Sequence, residues 1–345
     1  MIYASGNVYE GTWAKGKKEG KGTLIFMNGK KYEGMWLGDR RHGFGVLNHA
    51  NGDRYEGSYD NDRQTGKGIF YLENGSVYTG DFVDGHMSGQ GIFRYSNGDT
   101  YDGDFQNSAW HGHGHYRWAN GDTFEGVYVG GKRNGHGKQK YNDGSIFEGE
   151  FIDDKKNGIG TMTAADGRQA VVASTYVNDI VQGQATINYE NGNCYKGEMR
   201  NGKKHGKGVL TKKNGASYEG EFEGDLRHGS GIFRYSDGGV YEGQFKGGFK
   251  HGKGKYTFPD GSVYEGQYQG GLKHGNGSYT VGGDMVVDNL VRKGEVHSGI
   301  WKEGLLESEK CSIKYPDGSL YSGSMIASAY EGQGTFTWAR EASQL

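Results

Sequence analysis

Histidine recurs at one phase along this chain, at His42, His111, His205, His228, His251 and His274. Histidine is a common metal ligand and titrates near neutral pH, so such a row offers metal chemistry or proton transfer. Acids form a second row: Glu10, Glu33, Glu56, Glu125, Glu148, Glu219, Glu242 and Glu265. A third row is basic and precedes the histidine slot: Arg40-Arg41, Lys155-Lys156, Lys203-Lys204, Arg227, Lys250 and Lys273. Stretches such as 202–208 (GKKHGKG) share the glycine and lysine content of phosphate-binding loops. Spacing argues against each chemistry. Residues one repeat apart in a stacked sheet are separated by roughly 10 Å, too far for ligands about 2 Å from one ion. His111, His113 and His115 share one strand face about 6.7 Å apart, the one local group with any metal-site character. The phosphate-loop look lacks the strand–loop–helix context that gives such loops meaning. The acids recur singly rather than as a pair in a cleft, so no catalytic residue and no cofactor is expected.

The period that places these rows is 23 residues. An aromatic, an acid and a glycine recur at Tyr9-Glu10-Gly11, Tyr32-Glu33-Gly34 and Tyr55-Glu56-Gly57, and onward to Phe147-Glu148-Gly149. After a slip of two residues they resume at Tyr195-Lys196-Gly197 and run to Tyr264-Glu265-Gly266. A short fixed period marks a repeat array, whose core grows in one dimension and whose product is a surface rather than a pocket. Within residues 241–263, Tyr241, Gly243 and Phe245 alternate with polar residues, as do Gly252, Gly254, Tyr256 and Phe258. That is strand periodicity. Gly247-Gly248 and Pro259-Asp260-Gly261 supply turns. Each unit is thus a β-hairpin with one side of aromatics and glycines and another carrying Glu242, Gln244, Lys253 and Lys255. The expected fold is all-β: an elongated single-layer antiparallel sheet of stacked hairpins, about 14 repeats, on the order of 130 Å long.

Composition fits this reading. Of 345 residues, 67 are Gly and 2 are Pro, and 25 Tyr, 15 Phe and 6 Trp carry the burial area that a 33% apolar content otherwise lacks. Cys194 and Cys311 are too few for a disulfide framework, and no apolar run reaches spanning length. With no N-terminal signal segment, a cytoplasmic, soluble protein is expected. Residues 1–194 carry net charge −4, residues 195–280 net +5 and residues 281–345 net −3. The middle stretch leans toward an anionic partner, although its acids argue against nucleic-acid binding.

The unit from Tyr218-Glu219-Gly220-Glu221-Phe222 to Arg227-His228-Gly229-Ser230-Gly231 resembles the MORN repeat, and the resemblance covers essentially the whole chain. It implies a MORN-only protein: a non-catalytic scaffold or adaptor of cytoskeletal assemblies, most specifically the radial-spoke head of a ciliary or flagellar axoneme. Phospholipid binding has also been suggested for the family. A peripheral membrane adaptor with weak anionic-lipid binding through the basic stretch is therefore the alternative.

The regular pattern divides the chain into repeats over 1–160, a degenerate repeat over 161–194 and more basic repeats over 195–279. A degenerate segment over 280–320 and a terminal repeat with tail over 321–345 follow. In 161–182, Val172 stands in the tyrosine slot and Ala173-Ser174 replace Glu-Gly. In 280–312, Val286-Val287 falls near that slot and His297 to Trp301 imitates the motif out of phase. The expected partner site is an open aromatic groove. It is formed by Trp13, Trp36, Tyr59, Phe82, Phe105, Tyr128, Phe151, Phe222, Phe245 and Tyr268, with Tyr95, Trp118 and Tyr141 in a second slot. Lys203, Lys204, Arg227, Lys250 and Lys273 form the basic row for an acidic surface, and Trp301, Tyr321, Phe336 and Trp338 are expected to pair two copies through a sheet edge.

Overall fold

A computed structural model describes residues 1–283, 286–287 and 290–339. The described residues form strands and turns with no helix, as the alternation requires. They divide into two compact units, one comprising 1–169 and 176–179, the other 170–175 and 180–345.

In the first unit, fourteen strands from Val8–Ala14 to Lys155–Thr163 pair as successive antiparallel hairpins. Each hairpin joins a seven-residue strand to a nine-residue strand, as in Val77–Val83 and His86–Arg94. The length mismatch is absorbed in a bulge. Gly80 pairs with Gly91, but Phe82 pairs with Met87, so two extra residues lie on the second strand. The two-residue turn is tight, with left-handed φ at both central positions, such as 49° at Asn61 and 69° at Asp62. That is type I′ geometry, whose twist matches the flanking strands and whose sequence preference is Asn, Asp or Gly. Between hairpins the chain turns through a five-residue loop closed by bonds such as Leu72 N–H to Ser76 O, 2.9 Å.

The second unit repeats this plan in four hairpins from Cys194–Arg200 to Leu272–Thr280, preceded by the strand Ile180–Asn188. It then departs. Gly277 pairs with Gly299 and Tyr279 with His297, so the strand Val296–Lys302 occupies the next first-strand position. His297, and not Val286-Val287, therefore stands in the tyrosine slot. Val286–Val287 instead pairs with Leu290–Val291 in a separate two-stranded ribbon.

The core is a herringbone of rings along one sheet face. In the first unit it runs unbroken from Trp13 to Tyr176 by edge-to-face contacts, for example Tyr55–Tyr59 (5.3 Å), Tyr55–Phe82 (4.9 Å) and Tyr78–Phe82 (5.2 Å). Each such contact contributes about 0.5–1.5 kcal/mol beyond burial. In the second unit the same ladder runs from Tyr195 to Trp301. Glycine is required beneath it. A Cβ at Gly68 would lie 2.6–2.8 Å from the ring of Tyr55, so the tyrosine lies flat only where the side chain is hydrogen.

Where the tyrosine is absent, the space is filled differently. Opposite Gly299, Leu306 and Cys311 are buried at 1% and 2% exposure, and a Cβ on Gly299 would meet both. Cys311 pairs with Gly323, which places it in a slot that elsewhere holds glycine. No ring covers that slot here, so a thiol fits.

Candidate functional site

The two faces of the sheet have different fates. On the aromatic face the expected groove is closed. Trp36, Tyr59, Phe82, Phe105, Tyr128, Phe151, Phe222, Phe245 and Tyr268 are all buried, with exposures of 1–5%. The expectation of open rings is corrected because each ring fills the gap between the tyrosines of its own and the preceding repeat. A single layer can thus bury its own apolar face. Trp13, on the first hairpin, is 37% exposed. Tyr95, Trp118 and Tyr141 begin the inter-hairpin loops and are half-buried. The slot tyrosines turn their hydroxyls to the bulge: Tyr32 donates to Met35 O at 3.0 Å and Tyr241 to Gln244 O at 2.9 Å. Burial pushes the phenols up, to about 12 at Tyr218 and Tyr264 and further at Tyr78.

The basic row lies on this same face. Lys250 pairs across the strands with Phe245, and its ammonium stands 4.0 Å from the centroid of Tyr256 and 5.0 Å from that of Tyr241. Lys273 is 4.6 Å from the Trp301 ring. Arg227 lies 4.8 Å from Phe233 and donates to Gly248 O at 2.6 Å. Lys204 stacks likewise and pairs with Asp225 at 3.0 Å, whereas Lys203 is exposed beside the turn. The row is thus a set of cation–π contacts capping the ring ladder rather than a fringe of solvated charge. The signal was parity: Lys250, Gly252 and Gly254 alternate on one strand face. Desolvation by the rings, aided by Arg227 and Lys273 beside it, draws Lys250 down to about 8, and desolvation draws Lys273 down equally.

The opposite face is open. In the first unit it carries a groove of 480 Å³ whose floor is the backbone of Gly57, Gly68, Gly80 and Gly91. Phe44, Ile69 and Ile92 wall it, and Glu56, Lys67 and Asp102 edge it. Phe44 is 62% exposed, an unusual state for a ring. The corresponding groove in the second unit measures 730 Å³ and is walled by Glu242, Lys253, Lys255 and Glu265. Residues such as Ile69 and Ile92 directly follow the second glycine of a Gly-x-Gly segment and read as spacers in the sequence. Their shared parity with Glu56 and Asp102 is the signal that they line a groove.

The remaining sequence candidates are dispersed. His42 meets Asp60 at 3.3 Å and His228 meets Glu223 at 3.3 Å. Among the described residues no group of three or more His, Cys, Asp or Glu is placed to hold a metal ion. Trp301 is buried in the core at 5% exposure, its indole N–H donating to Gly277 O at 3.1 Å. The expected role between copies is therefore corrected for Trp301, which packs edge-to-face on Tyr264. Tyr321 lies over Gly323 and Gly334, half-buried, while Phe336 and Trp338 are 40% and 76% exposed on the last described strand and just beyond it.

A tyrosine or phenylalanine over paired glycines, in most repeats with an edge-to-face ring four residues on, and a bulged second strand recur at the positions that the MORN repeat profile matches. Those are twelve stretches: seven running from residue 9 to 167, four from 195 to 283, and residues 321–340. The chain belongs to the MORN-repeat family. The MORN matches leave 168–194 and 284–320 uncovered, which contain the unmatched slots of Val172 and His297. A search of curated proteins returns no match. Among solved structures, the TCP10 domain of Danio rerio CPAP in complex with a STIL peptide is 13% identical, covering 76% of this chain and 95% of its own, at a TM-score of 0.24. The Drosophila melanogaster SAS-4 TCP domain with a proline-rich motif of Ana2 is 15% identical over 48% and 90%, at 0.31. Virginiamycin B lyase from Staphylococcus aureus is 11% identical over 94% of each chain, at 0.14. Likenesses this distant carry no functional argument.

Proposed function

We propose that this MORN-repeat chain is a non-catalytic scaffold that holds a segment of a protein partner in the glycine-floored groove of its first unit. The observation that carries the reading is that groove: a concave strip with apolar walls at Phe44, Ile69 and Ile92 and charged edges, beside a core already closed on the other face. Exposed apolar surface of this kind marks a protein contact, and glycine backbone lets a partner approach closely. The assembly is a cytoskeletal one in the cytoplasm, and its finest version is the radial-spoke head of a ciliary or flagellar axoneme, which rests on the family resemblance. Pairing of two copies through the strand Ala329–Thr337, with Phe336 and Trp338 exposed, belongs to the same proposal. Replacing both rings by serine converts a dimer to a monomer in light scattering if it is right and leaves the mass unchanged if it is wrong.

The test of the main reading is affinity capture from detergent-extracted cytoskeletons with the intact chain and with Ile69→Arg/Ile92→Arg. Cytoskeletal proteins retained by the first and lost from the second, at equal thermal stability, support it. Equal retention by both contradicts it.

A further inference from the structure

In the cation slot, four charges are answered by an acid from the second residue of the next hairpin turn, whereas at Lys156 the turn residue Asp179 accepts only from the backbone amide. Asp39 meets Lys18 at 3.5 Å, Asp62 meets Arg41 at 3.0 Å, Asp154 meets Arg133 at 3.1 Å and Asp225 meets Lys204 at 3.0 Å. After Arg227, Lys250 and Lys273 that turn position is glycine: Gly248, Gly271 and Gly304. Their amides donate to the carbonyls of Arg227, Lys250 and Lys273 as the Asp225 amide does to that of Lys204. Asp occupies the same left-handed turn position elsewhere, although the wider φ here favours glycine. φ is 88°, 90° and 92° at these glycines against 74° at Asp39 and 75° at Asp225. A Cβ would meet nothing closer than 3.9 Å at Gly248 and 3.8 Å at Gly271, and nothing within 4 Å at Gly304.

Three successive cations on one face therefore lack an ion pair among the described residues. They stand one repeat apart, about 10 Å, and all are half-buried between rings. A charge partly removed from water and left unpaired is costly, and an incoming anion recovers that cost. We propose that Arg227, Lys250 and Lys273 form a linear docking site for an acidic peptide segment, whose carboxylates take the positions that Asp39, Asp62, Asp154 and Asp225 hold at the other repeats. Side chains of an extended peptide reach between rings singly, as Asp225 does to Lys204, which a planar layer of headgroups does not. In polyproline II geometry every third residue faces the same side at about 9.3 Å, matching the repeat. Acids at every third position are the fitting pattern. The site lies on the ring face of the second unit and shares no residue with the groove of the first, so it stands or falls separately from the scaffold reading.

The test is fluorescence anisotropy of the full chain with a fluorescein-labelled proline-rich peptide carrying glutamate at every third position. Its glutamine counterpart and phosphatidylserine vesicles serve as controls. Saturable binding of the glutamate peptide only is expected. It should weaken at least tenfold in Gly248→Asp/Gly271→Asp/Gly304→Asp, which supplies the missing acids internally at positions with room for a side chain, and in Lys250→Met/Lys273→Met. Retained thermal unfolding of the aspartate variant shows that the fold is intact, and Ile69→Arg/Ile92→Arg should bind the peptide normally. Three results overturn the proposal: no binding of the glutamate peptide, equal binding by the aspartate variant, or loss of vesicle binding in that variant with no peptide binding by the intact chain.

Discussion

The same hairpin is decorated in two ways. In the first unit, Arg41 and Arg133 are answered by Asp62 and Asp154, and the groove behind them runs between Phe44, Ile69 and Ile92 over buried glycines. In the second unit, Lys250 and Lys273 face glycine turns, the groove is walled by Glu242, Lys253 and Lys255, and its floor glycines are half-exposed. What the units share is the tyrosine, the glycine pair beneath it and the ring four residues on. The comparison teaches that core and address are carried by different positions of one repeat. The slots that close the ladder are constrained by geometry, whereas the groove-facing positions and the second turn residue are free to distinguish one repeat from another.

If the ladder is the common element, breaking it must cost the same in either unit. Tyr78→Ala and Tyr241→Ala should each destabilise by about 3–5 kcal/mol in denaturant unfolding. A loss confined to one unit would separate their cores. Filling the space under the ring is the next largest effect: Gly68→Ala should cost about 1–3 kcal/mol through overpacking against Tyr55.

High pH divides the units further. Buried phenols titrate above their ordinary value near 10, with Tyr218 and Tyr264 at about 12, so above pH 10 the folded chain holds more protons than the unfolded one and stability falls. Lys250 and Lys273 act oppositely. Their folded value of about 8 lies below the unfolded value of about 10.4, the unfolded chain binds more protons between those values, and stability rises from pH 8 toward 10. Denaturation followed by Trp301 fluorescence, in a variant keeping that tryptophan alone, should show a rise and then a fall, and Lys250→Met/Lys273→Met should remove only the rise. The smallest effect is Gly271→Asp, which makes the second unit resemble the first: the new ion pair contributes about 0.2–1 kcal/mol, less at high salt, and a side chain at φ 90° offsets it, so net stability should change by less than about 1 kcal/mol.

Much of this was legible in residue order. Alternation of Tyr241, Gly243 and Phe245 defines a strand, and Gly247-Gly248 a turn that needs positive φ. The ring over glycine follows from their shared parity. Closure of the aromatic face was not legible, because it depends on edge-to-face packing of Tyr55 on Phe82 across the repeat boundary, and a pitch that lets rings interleave is a property of coordinates. The placement of Lys250 was present as parity but hidden by its charge, which suggests solvent where the structure has rings. The register of 296–314 was hidden by an insertion: only the pairing of Gly277 with Gly299 shows that His297 takes the tyrosine slot.

The central claim is that, in the first unit, the ring face is closed core and the glycine-floored face receives the partner. The direct measurement places a photo-crosslinking p-benzoylphenylalanine at position 69, in the groove, or at position 95, on the ring face, and maps crosslinks to the cytoskeletal protein captured by the intact chain. Crosslinking from 69 and not from 95 is the predicted result. Crosslinking from 95 with none from 69 would put the partner on the aromatic side and contradict the account.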